Sequence, residues 1–137
     1  MTITYEDVVK AQQTQNKVIR KTNLEFSETF SKICGANVYL KNEYEQKTGS
    51  FKIRGAYYKI KSLTDDEKNK GVVAASAGNH SQGVAFASHI ENIPCTIVMP
   101  KNASPAKVAA TRGYGAKVVL EGTTYDESWA YAKKISE

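Results

Sequence analysis

Between residues 72 and 120 the chain alternates short, unbroken apolar runs with segments of helical character, and this restricts its fold more than any other feature. Val72–Ala75, Cys95–Met99 and Lys117–Leu120 are four or five residues long and rich in β-branched side chains. Such runs are too short for buried helices and lack the alternation of a half-exposed strand. Between them, His80 to about Ile90 and Pro105 to about Thr111 carry helical patterns, with Ser104 predicted to cap the second, Gly113 and Gly115 to stop it, and Pro100 to close the middle strand. Strands separated by helices form a parallel sheet with helices on both faces and right-handed crossovers, which places the chain in the α/β class. Ligands of such sheets bind beyond the carboxyl ends of the strands, and the turn from Ala75 to Asn79 lies at one of them.

Upstream, a helix opening after Ser50 carries Ile53, Ala56, Tyr57, Ile60 and Leu63 at offsets of three and four, an apolar stripe opposite Arg54, Lys59 and Lys61. Residues 5–20 have helical composition, with Val8, Val9, Ala11 and Ile19 as the expected buried positions. Ser27 is predicted to cap a helix that presents Phe30 and Ile33 on one face and stops at Gly35, and Asn37–Lys41 reads as a short strand. The pattern from Tyr125 to Ile135 is helical with no stop before Glu137, so the sequence is expected to be a piece of a longer protein.

Composition removes several classes of function. With 41% hydrophobic and 24% charged residues the chain is globular, and 137 residues suffice for one core. No run approaches the roughly 18 apolar residues of a membrane span, and the amino terminus lacks a signal peptide's hydrophobic segment, so no membrane association and a cytoplasmic location are expected. The net charge of +5 arises mainly in residues 1–70, where cations alternate with acids as on a solvated face. A nucleic-acid surface has a denser basic stripe, and none is expected here. Cys34 and Cys95 form no CxxC pair and read as reduced, structural thiols. His80 and His89 are nine positions apart on one helix, hence on opposite faces, and no other cluster has ligand spacing, so no metal is predicted. GxGxxG, P-loop and GxSxG motifs are absent.

Two segments carry chemistry. In Lys47-Thr48-Gly49-Ser50-Phe51-Lys52-Ile53-Arg54-Gly55-Ala56 a lysine lies in the first turn of a helix, where Thr48, Gly49 and Ser50 are expected to supply turn and cap. The positive end of the helix favours the neutral, nucleophilic amine, although a solvated lysine is the ordinary occupant of such a position. Phe51 reads either as core or as a lid over a flat ring. In Ser76-Ala77-Gly78-Asn79-His80-Ser81-Gln82-Gly83 small residues precede a helix start whose free N–H groups suit an anion, a pattern that an Asn79 helix cap explains equally well. An amine beside an anion-binding turn suits an aldehyde cofactor and an amino-acid carboxylate.

With Leu40-Lys41-Asn42-Glu43 and Gln46, and with Ile97-Val98-Met99-Pro100 and Gly113-Tyr114-Gly115-Ala116 further on, these segments resemble the threonine/serine dehydratases. These are fold-type II pyridoxal-phosphate enzymes, a group that includes serine racemase. The resemblance implies that residues 1–43 begin a large domain and that 44–137 form most of a small α/β domain, cut off at its carboxyl end. It implies pyridoxal 5'-phosphate as cofactor, a Schiff base at Lys52, Phe51 flanking the cofactor, and Asn79 bonded to the pyridine hydroxyl. Ser76, Ala77, Gly78 and His80 would grip the substrate carboxylate. The implied activity is dehydration and deamination of L-threonine or L-serine to a 2-oxo acid and ammonia, as in isoleucine biosynthesis, by a homo-oligomer.

Two departures qualify the resemblance. Lys21-Thr22-Asn23-Leu24 stands where the family usually has Arg-Thr-Pro-Leu, which puts a local turn in doubt. The glycine-rich loop that holds the cofactor phosphate and the polar partner of the pyridine nitrogen do not occur, so this piece alone is expected to be inactive. Serine racemase is the alternative within the cofactor class; racemases of the family carry serine where this chain has Ala77. A non-catalytic Rossmann-like phosphate or nucleotide-binding module is the alternative outside it.

Overall fold

The computed structural model describes residues 2–137. Its centre is a three-stranded parallel sheet in the order β3–β4–β5, formed by Val72–Ala75, Cys95–Met99 and Lys117–Leu120, so β3 and β5 lie at its margins. Ile97, Val98 and Met99 of the middle strand are all fully buried. Consecutive strand residues point to opposite sides, so both faces are covered. Helices α5 (Asn79–Ile90) and α6 (Pro105–Gly113) pack on each other, with α5 also against β3 and β4 and α6 against β5, while α7 (Tyr125–Ser136) covers β3 and β4 from the other side. The core between sheet and α5 draws in Ala56, Tyr57 and Ile60 of α3 (Lys52–Lys61). The predicted α/β architecture is present with its strands at the predicted positions.

The cap chemistry departs from expectation at the two helices that begin with small polar residues. Phe51, not Ser50, occupies the N-cap of α3 with no side-chain cap, and Ser50 Oγ accepts only a long bond of 3.4 Å from the Lys52 N–H. Ser104 likewise makes no side-chain cap to α6. Asn79 is the first residue of α5 rather than its cap, Gly78 taking that place. Leu63 falls outside α3, and a helix that the sequence reading did not identify, α4 (Asp65–Lys70), follows it behind a Thr64/Glu67 capping box.

The amino-terminal region differs more. Helix α1 (Tyr5–Gln15) stops short of residue 20, Val8 is exposed, Val9, Ala11 and Ile19 are only half-buried, and the buried position is Gln15, whose Nε2 donates to the Arg54 carbonyl at 2.7 Å. Ser27 does cap α2 (Glu28–Cys34), and Gly35 ends it at φ +64°, a left-handed conformation that glycine adopts without strain. Phe30 and Ile33 are nevertheless exposed. The strand expected at 37–41 is β2 (Tyr39–Lys41), paired antiparallel with β1 (Leu24–Phe26). Pairing sets Phe26 against Tyr39, ring centroids 5.5 Å apart, on a ribbon whose residues are all exposed.

Candidate active site

The turn after β3 is held from beneath. The Ser76 N–H donates to the Val98 carbonyl at 3.1 Å, Gly78 N–H to Ser76 Oγ at 3.2 Å, and Ser81 Oγ–H to the Gly78 carbonyl at 2.6 Å. Ser81 Oγ also lies 3.2 Å from Thr111 Oγ1 of α6, both residues fully buried. These bonds leave Ser76, Ala77 and Gly78 half-buried at the carboxyl end of the sheet, with Asn79 and His80 exposed beside them. No side chain among the described residues caps α5, so its first-turn N–H groups remain open to an anion.

The Lys52 peptide meets the helix that follows this turn through backbone contact between α3 and α5 at Gly83. A Cβ on Gly83 would lie 3.1 Å from both the Ile53 nitrogen and the Lys52 carbonyl carbon, so the two helices touch at the peptide of Lys52. The Lys52 ammonium forms no ion pair among the described residues, and its Nζ sits 4.9 Å from the centroid of the Phe51 ring. Phe51 is 57% exposed and so lies outside the core formed by the described residues. His80 belongs to the same electrostatic neighbourhood: partial burial and, second, the Lys52 charge hold its imidazole below the usual histidine range.

A polar network braces the segment leading to Lys52. Glu43 accepts from Arg54 Nε at 2.8 Å, from Arg54 Nη2 at 2.7 Å and from Thr22 Oγ1 at 2.6 Å. Gln46 spans the main chain of Arg20, accepting from its N–H and donating to its carbonyl, each at 2.8 Å. Across the helix pair, Tyr57 OH donates to Glu91 at 2.7 Å; burial first, then this bond, pushes Tyr57 up to about 12, so it stays a donor. Sequence reasoning missed this network and assigned Arg54 to a solvated face. Glu43 and Arg54 sit in different elements eleven positions apart, a spacing without a local signature.

The network predicts an acid transition. The Arg54 hydrogen bonds, opposed by burial and helped by Thr22, hold the Glu43 carboxyl below its ordinary range. A carboxyl depressed in the folded state contributes stability above its unfolded pKa and loses it as pH falls through the folded value. Urea midpoints should therefore drop below about pH 4.5, and Glu43→Gln should flatten that part of the profile.

Both cysteines are free, Cys34 exposed and Cys95 half-buried with its thiol pushed up by burial. Among the described residues no group of three or more His, Cys, Asp or Glu could hold a metal ion, and no helix is long and apolar enough to cross a membrane.

An unpaired amine, an exposed ring beside it and an uncapped helix end make a donor set that fits an aldehyde cofactor and a carboxylate substrate. Fold and site together define the class as parallel α/β units with an unpaired lysine beside an uncapped helix start. The chain belongs to the pyridoxal-phosphate dependent enzymes, whose family model matches residues 16–137. It is 53% identical over 135 residues to an L-threonine ammonia-lyase of Thermotoga maritima, covering 98% of this chain and 34% of that protein. It is 47% identical over 135 residues to the L-threonine dehydratase catabolic TdcB of Escherichia coli strain K12, covering 98% of this chain and 41% of that one. Among solved structures, serine racemase from Dictyostelium discoideum superposes with a TM-score of 0.89 at 38% identity, covering 98% of this chain and 44% of that chain. The chain thus spans between a third and a half of the length of these proteins.

Proposed function

We propose that the full-length protein is a pyridoxal-phosphate-dependent ammonia-lyase that converts L-threonine, or L-serine, to a 2-oxo acid and ammonia. The observation that carries this reading is the direct packing of the Lys52 peptide on α5, which brings an amine and an open helix end to one edge of the sheet. In this reading Lys52 would hold the cofactor through Nζ and serve as the base for the substrate Cα proton. Phe51 would flank the ring and Asn79 would hydrogen-bond its hydroxyl. Ser76, Ala77, Gly78 and His80 surround the carboxylate, which the α5 N–H groups neutralise. The cofactor, when bound, supplies an electron sink for the charge left at Cα. Loss of the β-hydroxyl, followed by hydrolysis, completes the reaction.

Residues 1–43 then begin the large domain and 44–137 make up most of the small one, in a cytoplasmic homo-oligomer that engages neither nucleic acid nor membrane. The name of one relative, the L-threonine dehydratase catabolic TdcB of Escherichia coli, favours a catabolic role over isoleucine biosynthesis. The direct test is release of 2-oxobutyrate and ammonia from L-threonine by the full-length protein; binding of a nucleotide with no such release would favour the non-catalytic module instead.

Serine racemase is the second reading, favoured by the structural likeness to a racemase. Inversion needs a proton donor on the face of Cα opposite Lys52, and Ala77 offers a methyl group. The unmodified protein should therefore give little D-serine from L-serine, and Ala77→Ser should give measurably more. Chiral chromatography decides this, and substantial D-serine from the unmodified protein would favour the racemase.

A further inference from the structure

Gly83 lies inside α5, a position where glycine costs helix stability relative to alanine. It is buried, and the space its side chain would need is filled by the backbone of the neighbouring helix: the Ile53 nitrogen and Lys52 carbonyl carbon at 3.1 Å and the Lys52 carbonyl oxygen at 3.2 Å from an ideal Cβ. Those atoms belong to peptides and cannot rotate aside as a flexible side chain would. The contact falls at the first turn of α3, at the residue that bears the amine, while Asn79 stands four positions earlier on the same face of α5. A methyl group at residue 83 would thus separate the Lys52 peptide from the helix that carries Asn79 and the open N–H groups.

We propose that Gly83 is a positioning residue that sets the separation between the Lys52 amine and the Asn79 end of α5. The inference rests on the reading of Lys52 as the point of cofactor attachment. A displacement of a few tenths of an ångström at the peptide is carried to the side chain's far end, and misplacement of reacting groups by about 1 Å costs on the order of 100-fold.

The test uses the full-length protein, pyridoxal phosphate at sub-saturating concentration, and borohydride trapping quantified at Lys52 by peptide mass spectrometry. Gly83→Ala is expected to lower trapping by roughly 10- to 100-fold. Ile60→Val loosens the same helix pair two turns away, and should lower Tm while leaving trapping unchanged. A second readout needs no cofactor. Histidine NMR titration should show the His80 pKa rising in Lys52→Ala, which removes the neighbouring charge, and rising in Gly83→Ala, which moves it away. A third needs no variant: a through-space NMR contact is expected between the Gly83 Hα protons and the Ile53 amide. Trapping and His80 titration both unchanged in a folded Gly83→Ala, equal loss in Ile60→Val, or absence of the Gly83–Ile53 contact would each overturn the proposal. Failure of the unmodified protein to trap cofactor at Lys52 would instead overturn the functional reading, while the NMR contact still judged the helix spacing.

Discussion

Full-length protein carrying Lys52→Ala is expected to lose the visible absorbance of the lysine–cofactor adduct and to turn over L-threonine at least about 1,000-fold more slowly than the unmodified enzyme. The expectation follows from position: Lys52 combines the first turn of α3, freedom from ion pairing among the described residues, and backbone contact with the helix that follows the Ser76–Gly78 turn. Under the proposed function, removing the amine would delete both the covalent anchor and the base at Cα, so the two losses should appear together. The fold should survive, because the Lys52 side chain is exposed. Spectroscopy and turnover on the same preparation check this; an adduct band retained through another lysine would refute the assignment of Lys52.

Ile97→Ala should produce the largest loss of stability, about 3 kcal/mol within a range of 2–5 for buried isoleucine truncations. Ile97 is fully buried in the middle strand, between Ala74 of β3 and Val118 of β5, and it belongs to the core that also holds Ile60 and Val84. With strands on either side, the cavity has little freedom to collapse. For a chain of this size about 3 kcal/mol corresponds to a fall of roughly 10 °C in Tm. Leu120→Ala, on the exposed rim of the same sheet, should cost under about 1 kcal/mol. Calorimetry of the two variants checks the contrast, and equal shifts would mean that the sheet is not covered on both faces.

Legibility in the sequence follows the range of the interaction. Strands β3, β4 and β5 and the stripe Ile53–Ala56–Tyr57–Ile60 are readable because burial marks neighbouring residues, as an unbroken apolar run in a strand covered on both faces and as a spacing of three and four in a helix. The turn at Ser76–Gly78 was readable because small residues at a strand end have few other reasons to occur together. Helix α4 could have been found from the Thr64/Glu67 pair, a local signal that was overlooked. Gln15 could not: its burial goes with a hydrogen bond to a carbonyl of α3, 39 positions away. The same holds for Glu43 with Arg54, and for the exposure of Phe30 and Ile33, whose helical spacing states only that a face is apolar. Ser50 and Ser104 illustrate a different limit: Ser50 lies one position before the N-cap of α3, and Ser104 holds the N-cap of α6 without its hydroxyl closing a cap bond, so residue type alone does not settle cap geometry.

The marginal place of β3 has a colloidal consequence. Val72-Val73-Ala74-Ala75 carries no charge, proline or bulge of the kind that keeps an outer strand from pairing with its like. What opposes such pairing in a solution of this chain is mutual repulsion from a net charge of +5, a force that reaches only about 8 Å at physiological ionic strength. Added salt shortens that reach further, so raising the ionic strength should lower the concentration this polypeptide reaches before its chains adhere.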